Sequence, residues 1–438
     1  MIAEPKPDQH QISKPVNYLA SGTVTVAILS LAKGTLGAGI LALPQKTMLS
    51  GVPLFLSLLL VSGFFTAKSI EMIARGARKS GKYVFEEITE SLLGHPMAIA
   101  LGVSMLLNCY GASIVYVIAI KDAFAALLSD LQNSTGDDWP LYATLIVGGL
   151  VLVPLSVVEK INSLRLLSLA GVVGVFFTVA SVVYALAYLG VPVGTGFPAG
   201  ISVARTMMKP TGNFIDIMTV MSTVTFAFCN QFNVPQVYEE MSLKDEGSVT
   251  KVAYISTILP MIFYVITSLT GYLCYGYNIE GNILLNFAPL ISSGTVIIYI
   301  GVIAVALSVS LCHLLNNFPM RLSVVFFLPE RYHENQTIRY AVPLFTAVST
   351  ITIAVLYSDL SLFLGLVGAL TGSIICYIVP ALFSIRVSQM EQEADIKASS
   401  NSWYSVTARS PVESIMIVVG IVIGVVGTFC EFYNSFSQ

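Results

Sequence analysis

The run LAKGTLGAGILALP, residues 31–44, lies inside a strongly apolar stretch, yet it carries a lysine followed by three glycines in six positions. Gly34, Gly37 and Gly39 each weaken a helix by roughly 0.5–1 kcal/mol relative to alanine. Lys33 is expensive in hydrocarbon. Either the run is not a membrane span, or its break has a use. The rest of the chain decides between the two.

Only 11% of the 438 residues are charged, 55% are hydrophobic and the mean hydropathy is +0.79. Soluble domains carry about 25% charged residues, so this composition is that of an integral membrane protein. The net charge of −3 and the absence of basic runs give no reason to expect a nucleic-acid partner. The six cysteines, Cys109, Cys229, Cys274, Cys312, Cys376 and Cys430, fall in or near apolar segments without a C-x-x-C pair. They read as buried free thiols. Residues 1–20 hold Pro5, Pro7, Asp8 and Pro15 but no apolar signal core, and read as a retained, disordered cytoplasmic tail.

Eleven apolar segments are long enough to cross a bilayer, which takes about 20 helical residues. They lie near 22–48, 52–76, 97–129, 141–158, 164–190, 213–238, 250–276, 290–322, 339–357, 360–385 and 411–433. They are long and lack a two-residue period, so helices are expected rather than strands. With the N-terminus inside, seventeen lysines and arginines fall on the inner side and only three (Lys46, Arg205 and Lys209) on the outer. Lys33 and Lys121 lie within spans. This bias orients the chain and places the C-terminus outside. The sequon at Asn133 then falls outside, where a glycan can be added, and that at Asn335 inside, where it cannot.

Segment 6 is as odd as segment 1. In STVTFAFCNQFNVPQVYEE, 222–240, apolar character is lost halfway, where Cys229, Asn230, Gln231 and Asn233 arrive together before Pro235. Unwound backbone at membrane depth survives only where protein or a water cavity satisfies it. Segments 1 and 6 stand five apart, and five is odd, so a second five-helix half would insert upside down. That is the inverted-repeat logic of secondary transporters, whose substrate site lies between two discontinuous helices. Repeat one would span 22–190, repeat two 213–385, and 411–433 would be an extra helix. On this reading the glycines let the first segment leave the helix and approach a ligand, and freed N–H groups at a half-helix start hold a carboxylate.

At these residues the chain resembles the amino acid/auxin permease family. GTLGAGILALP (34–44) is similar to the family's first-helix pattern G-x-G-I/L-L-x-L-P, and FAFCNQFNVPQVYEE (226–240) to its sixth-helix pattern F-A-F…P-x-Y-x-E. YGASIVYVIAIKD (110–122) resembles its third helix and NNFPMR (316–321) the end of its eighth. The resemblance spans most of the chain. It implies amino acid transport on the fold of the bacterial leucine transporter, with eleven helices the usual number. It also implies a substrate site at Thr35, Leu36, Gly37, Ala38 and Gly39 with Phe226, Ala227, Cys229 and Asn230, and a third helix facing the substrate through Ser113. Sodium-coupled neutral members carry asparagine four residues before the first motif glycine. Here that position, relative to Gly37, is Lys33, similar to the L-x-K-G of the proton-coupled and vacuolar branches. A fixed ammonium there would oppose Na⁺.

Ser308 and Ser310 lie where the fold places an ion site against helix 1, and His313 is the one histidine within a span, so these three join Lys33 as coupling candidates. Each also has an ordinary reading: hydroxyls bonded to helix carbonyls, a packed histidine, a lysine that snorkels. Asp122 and Asp216 read as rim charges. Gly420 and Gly424 form a packing face on segment 11. No H-E-x-x-H, no G-x-S-x-G and no phosphate-cradling loop occurs, and no metal or cofactor is expected. The expected function is secondary active or facilitative transport of α-amino acids by alternating access, sodium-independent, with H⁺ as the candidate coupling ion and the plasma membrane as residence. The alternative is an amino acid sensor with little flux. The substrate itself, neutral or cationic, is not legible.

Overall fold

In a computed structural model of the chain, residues 22–156, 164–192, 196–197, 203–208, 213–329, 335–398 and 411–437 are described. The expected tail 1–20 lies outside them. Fourteen helices carry the architecture. The first five are α1 (Val24–Thr35), α2 (Gly39–Ser50), α3 (Val52–Ser80), α4 (Phe85–Leu93) and α5 (His95–Leu127). Then come α6 (Trp139–Leu152), α7 (Leu164–Leu189), α8 (Phe214–Ala227), α9 (Val234–Glu240) and α10 (Glu246–Tyr275). The last are α11 (Val296–Phe326), α12 (Gln336–Leu356), α13 (Leu360–Glu393) and α14 (Pro411–Phe436). No strand is recorded among the described residues.

Eight of these helices are long and apolar enough to cross a membrane, and nine if the bent pair α1 and α2 is one span. The expected total of eleven is therefore not reached by length alone. Segment 4 is a short apolar helix, Trp139–Leu152, ending near residues 157–163 that are not described. Segment 6 is divided into α8 and α9. The divided segments are the two expected to be: α1 and α2 meet at a bend of 60° across residues 36–38, and α8 and α9 are separated by 228–233.

The ends follow local chemistry. α3 and α5 begin after glycines at φ 75° and 90° with proline in the first turn. α8 begins with a capping box in which Asn213 and Asp216 bond each other's backbone, so Asp216 caps its helix rather than standing as a free rim charge. A central hydrophobic cluster runs from α2 through α5, α8, α10 and α11 and surrounds both breaks. Gly420 and Gly424 press α14 onto Ser373, Tyr377 and Ile378 of α13, so that small-residue face is used within the chain.

Candidate functional site

The carbonyls and N–H groups freed at the first break have to find partners away from their own helix. Leu36 N–H still reaches Ala32 O and Gly37 N–H reaches Thr35 O, after which α1 is finished. Three carbonyls at its end take side-chain donors, two from other parts of the chain and one from its own Lys33. Asn230 Nδ2 donates to Leu31 O at 2.8 Å, Tyr264 Oη to Thr35 O at 2.7 Å, and Lys33 Nζ to Leu36 O at 3.3 Å. Tyr264 Oη also stands 2.7 Å from Ala227 O, the end of α8. One phenol on α10 thus pins both broken ends with a single proton. The second break is satisfied mainly by its own residues: Cys229 N–H reaches Phe226 O, Asn230 N–H reaches Gln231 Oε1 and Asn233 N–H reaches Asn230 O.

None of Gly34, Gly37 and Gly39 has a positive φ. Their role is close approach, not an unusual backbone conformation. A Cβ on Gly34 would collide with the Asn230 amide, and one on Gly39 would sit 2.9 Å from Ala227 Cα. The glycines let the two breaks touch.

Between the breaks lies a narrow cavity. Thr35, Gly37, Gly39, Phe226, Ala227 and Cys229, all expected, line it, and no charged side chain does. Leu36 and Ala38 are buried in the core instead. Asn230 is tied to Leu31 O and Asn233, one layer behind the wall. Ser113 also stands behind the wall, accepting from Asn316 Nδ2 at 3.0 Å. No backbone acceptor is recorded for the N–H groups of Ala38, Gly39 and Ile40, at the start of α2 beside the cavity. Aligned N–H groups at a helix start attract anions.

Sequence reasoning missed Asn108, Ala112, Phe232 and Asn316 as wall residues, and Tyr116, three residues from Ser113 on the third helix, lines the cavity as well. Asn108 Nδ2 donates to Thr371 Oγ1 at 2.9 Å, and Asn316 Nδ2 to Cys109 O as well as Ser113. With those nitrogens engaged, the amide oxygens are what the two residues can offer a ligand. Amides in apolar helices, Asn108 alone and Asn316 beside Asn317, were the available signal.

Lys33 is 2% exposed. Its three N–H donors have three acceptors: Leu36 O, Ser308 Oγ at 3.5 Å and Cys312 Sγ at 2.8 Å. Ser308 in turn donates to Gly171 O. A Cβ on Gly171 would overlap the Lys33 methylenes, so α7 is shaped around this lysine. No carboxylate pairs with it among the described residues. Ser310 instead bonds Ala306 O of its own helix. His313 is fully buried, with no hydrogen-bond partner at either ring nitrogen, and lines neither cavity. Asn133 is exposed in the short helix Ser129–Thr135. Asp122 is buried and accepts from Asn282 Nδ2 at 2.7 Å, so it is not a solvated rim charge. The six cysteines are free.

Two discontinuous helices meeting at a mid-chain cavity within a bundle of apolar helices define a multi-pass membrane transporter. The chain has the same fold as a solved manganese transporter mutant from Eremococcus coleocola, with a TM-score of 0.55 over 96% of this chain and 97% of that one, at 10% identity. The family model described as transmembrane amino acid transporter protein matches residues 20–430, and the chain belongs to that family. It is 22% identical over 365 residues to sodium-coupled neutral amino acid symporter 2 of Danio rerio, covering 79% of this chain and 72% of the relative. It is 23% identical over 396 residues to amino acid transporter AVT6E of Arabidopsis thaliana, covering 87% and 77%. It is 25% identical over 293 residues to vacuolar amino acid transporter 6 of Saccharomyces cerevisiae, covering 64% and 61%.

Proposed function

We propose that the protein carries α-amino acids by alternating access without a sodium requirement. The observation that carries the reading is the uncharged cavity lined by Gly37 and Gly39 at the first break, where the N–H groups of Ala38, Gly39 and Ile40 have no recorded backbone acceptor among the described residues. Those N–H groups hold the substrate carboxylate. The amide oxygens of Asn108 and Asn316 and the carbonyls near Phe226 to Asn230 hold the ammonium, and Phe226, Tyr116 and Cys229 shape the side-chain pocket. The two halves, 22–190 and 213–385, move about this site, with 411–433 outside them.

Relatives named as sodium-coupled and as vacuolar leave the coupling ion open. Lys33 supports the sodium-independent reading. It joins α1 to α11 through Leu36 O and Ser308. A second unit charge 4 Å from its ammonium is opposed by about 4 kcal/mol at an effective dielectric of 20, roughly a thousandfold in affinity. The tethered charge does what a bound cation would do, but it can only lose its proton or move. Proton coupling follows if it titrates in the cycle, facilitation if it does not. Ser308 positions it. Ser310 and His313 remain coupling candidates to be tested by substitution, and the plasma membrane is the proposed residence, checked by imaging a tagged chain.

The test is uptake of each labelled amino acid into proteoliposomes, with Na⁺ replaced by choline across pH 5 to 8, with and without a protonophore. Uptake should persist in choline, and Lys33→Asn should change its pH dependence. Loss of uptake in choline at every pH would refute the sodium-independent reading.

A further inference from the structure

Phe232, in the turn between α8 and α9, belongs to the wall of two cavities. On one side is the site described above. On the other is a second, smaller space, bounded by Tyr83, Glu86, Met105, Gln236, Pro319 and Leu322 among others. A single aromatic ring at the junction of two cavities is a partition.

The second cavity differs from the first in its charge. The first has no ionisable carboxylate in its wall, whereas the second has Glu86. That side chain is 1% exposed, and its partners are the Ser323 hydroxyl, which donates to Oε1 at 2.5 Å, and its own backbone N–H. No cation pairs with it among the described residues. Of the groups around it, Glu87 on the same helix adds a like charge, and Cys109 on α5 feels the charge of Glu86. Lys244 rests over the rings of Tyr83 and Tyr238, at 5.0 and 5.3 Å, without pairing with Glu86. A carboxylate taken out of water is held in its charged form only by a cation or by several donors. Glu86 has one hydroxyl, its own backbone N–H and a cavity beside it.

We propose that Glu86 is a second ammonium subsite on the transport path, taking the primary ammonium group of a substrate that has passed Phe232. The inference rests on the carrier reading above for the identity of its natural ligand. Burial raises the Glu86 carboxyl above the usual carboxylate range, and an arriving ammonium opposes that shift by favouring the ionised form. The three N–H donors of a primary ammonium can meet both carboxylate oxygens at once. A quaternary ammonium offers none.

The experiment uses the full chain in proteoliposomes with Gln236→Cys placed in the second cavity. Its modification by a charged methanethiosulfonate reagent is timed against the same chain without that substitution. Methylammonium should slow the modification, and tetramethylammonium at the same concentration should not. Glu86→Gln, which keeps the size and the Ser323 contact, should weaken methylammonium protection by about tenfold or more, as expected for losing a charge-assisted hydrogen bond. Glu86→Asp, which keeps the charge, should retain protection if the fold is intact. Equal protection in Glu86→Gln, or none in any chain, overturns the subsite. Uptake of the twenty labelled amino acids is measured on the same preparations. Protection without uptake of any of them would sink the carrier reading and leave the ammonium site standing. Uptake without protection would do the reverse.

Discussion

The two breaks solve the same problem in different ways. At the first, three residues leave the helix, and the carbonyls around them are met from outside by Asn230 and Tyr264 and from α1 by Lys33. At the second, six residues leave the helix, and a turn of 3-10 helix at Gln231–Asn233 and the Gln231 side chain meet most of the need locally. The first break is therefore held by its surroundings and the second largely by itself. Both share Tyr264 and the Gly39–Ala227 approach. A helix end held by distant partners moves when those partners move, so the first break is the better candidate for the working hinge. Substitutions can break this contrast or sharpen it.

The largest effect should come from Gly39→Val. Its Cβ would meet Ala227 Cα at 2.9 Å, a backbone atom that cannot swing aside. Uptake should fall to background in a chain that still reaches the membrane. Gly37→Ala is the control. A Cβ there meets only the Tyr116 ring at 3.4 Å and beyond, so the chain should fold with a smaller cavity and a raised KM. Uptake by Gly39→Val at the wild-type level would mean that the breaks need not touch.

Next is Tyr264→Phe. The ring keeps its edge contact with Phe228, and only the hydroxyl is lost. An unmade hydrogen bond to a buried carbonyl costs about 1–3 kcal/mol. A pin shared by both breaks should lower kcat about tenfold with a smaller change in KM. A change in KM alone would assign Tyr264 to substrate binding instead.

Asn230→Ala and Gly34→Ala sharpen the contrast further. Alone, each should reduce stability by about 1–3 kcal/mol, the first by removing the donor to Leu31 O, the second by forcing the amide off its place. Together they should cost less than their sum, because Asn230→Ala removes the amide that the new methyl would strike. Additive losses in thermal unfolding would show that Gly34 is required for another reason.

These residues also mark what the sequence could and could not tell. The position of both breaks was legible, since three glycines and a cluster of Cys229, Asn230, Gln231 and Asn233 have no place in plain membrane helices. The reason for the glycines was not, because sequence suggests conformational freedom where the structure shows helix-to-helix contact. Asn230 looked like a ligand residue because it is polar at the right depth, yet its hydrogens face Leu31 O. Asn108 and the Asn316–Asn317 pair are amides in long apolar helices, and which face of the helix they occupy depends on packing across the bundle. Lys33 stood out at once, but its partners Ser308 and Cys312 are more than 270 residues away, and Gly171, which makes room for it, resembles any other small residue in a helix.

The smallest expected effect lies at the start of α10, the helix that carries Tyr264. Asp245 is its N-cap, and the Ser248 N–H donates to its Oδ2 at 2.9 Å. Hydrogen bonding from Ser248, side chain first and backbone next, holds the Asp245 carboxyl below the usual aspartate range. An unfolded aspartate titrates near about 3.9. Because the folded value is lower, the contribution to stability is present above that pH and is lost as pH falls through the folded value. Asparagine caps a helix about as well as aspartate but carries no charge. Asp245→Asn should therefore melt slightly below the wild type at pH 6, by a gap that narrows as pH falls toward 3. The side chain is solvent-exposed, so salt should narrow the gap. Asp245→Ala, which loses the cap itself, should melt lower at both pH values. A gap for Asp245→Asn as wide at pH 3 as at pH 6 would show that the charge on this cap contributes nothing and that the loop into α10 is held by packing and by the Ser242 N–H to Gly22 O bond alone.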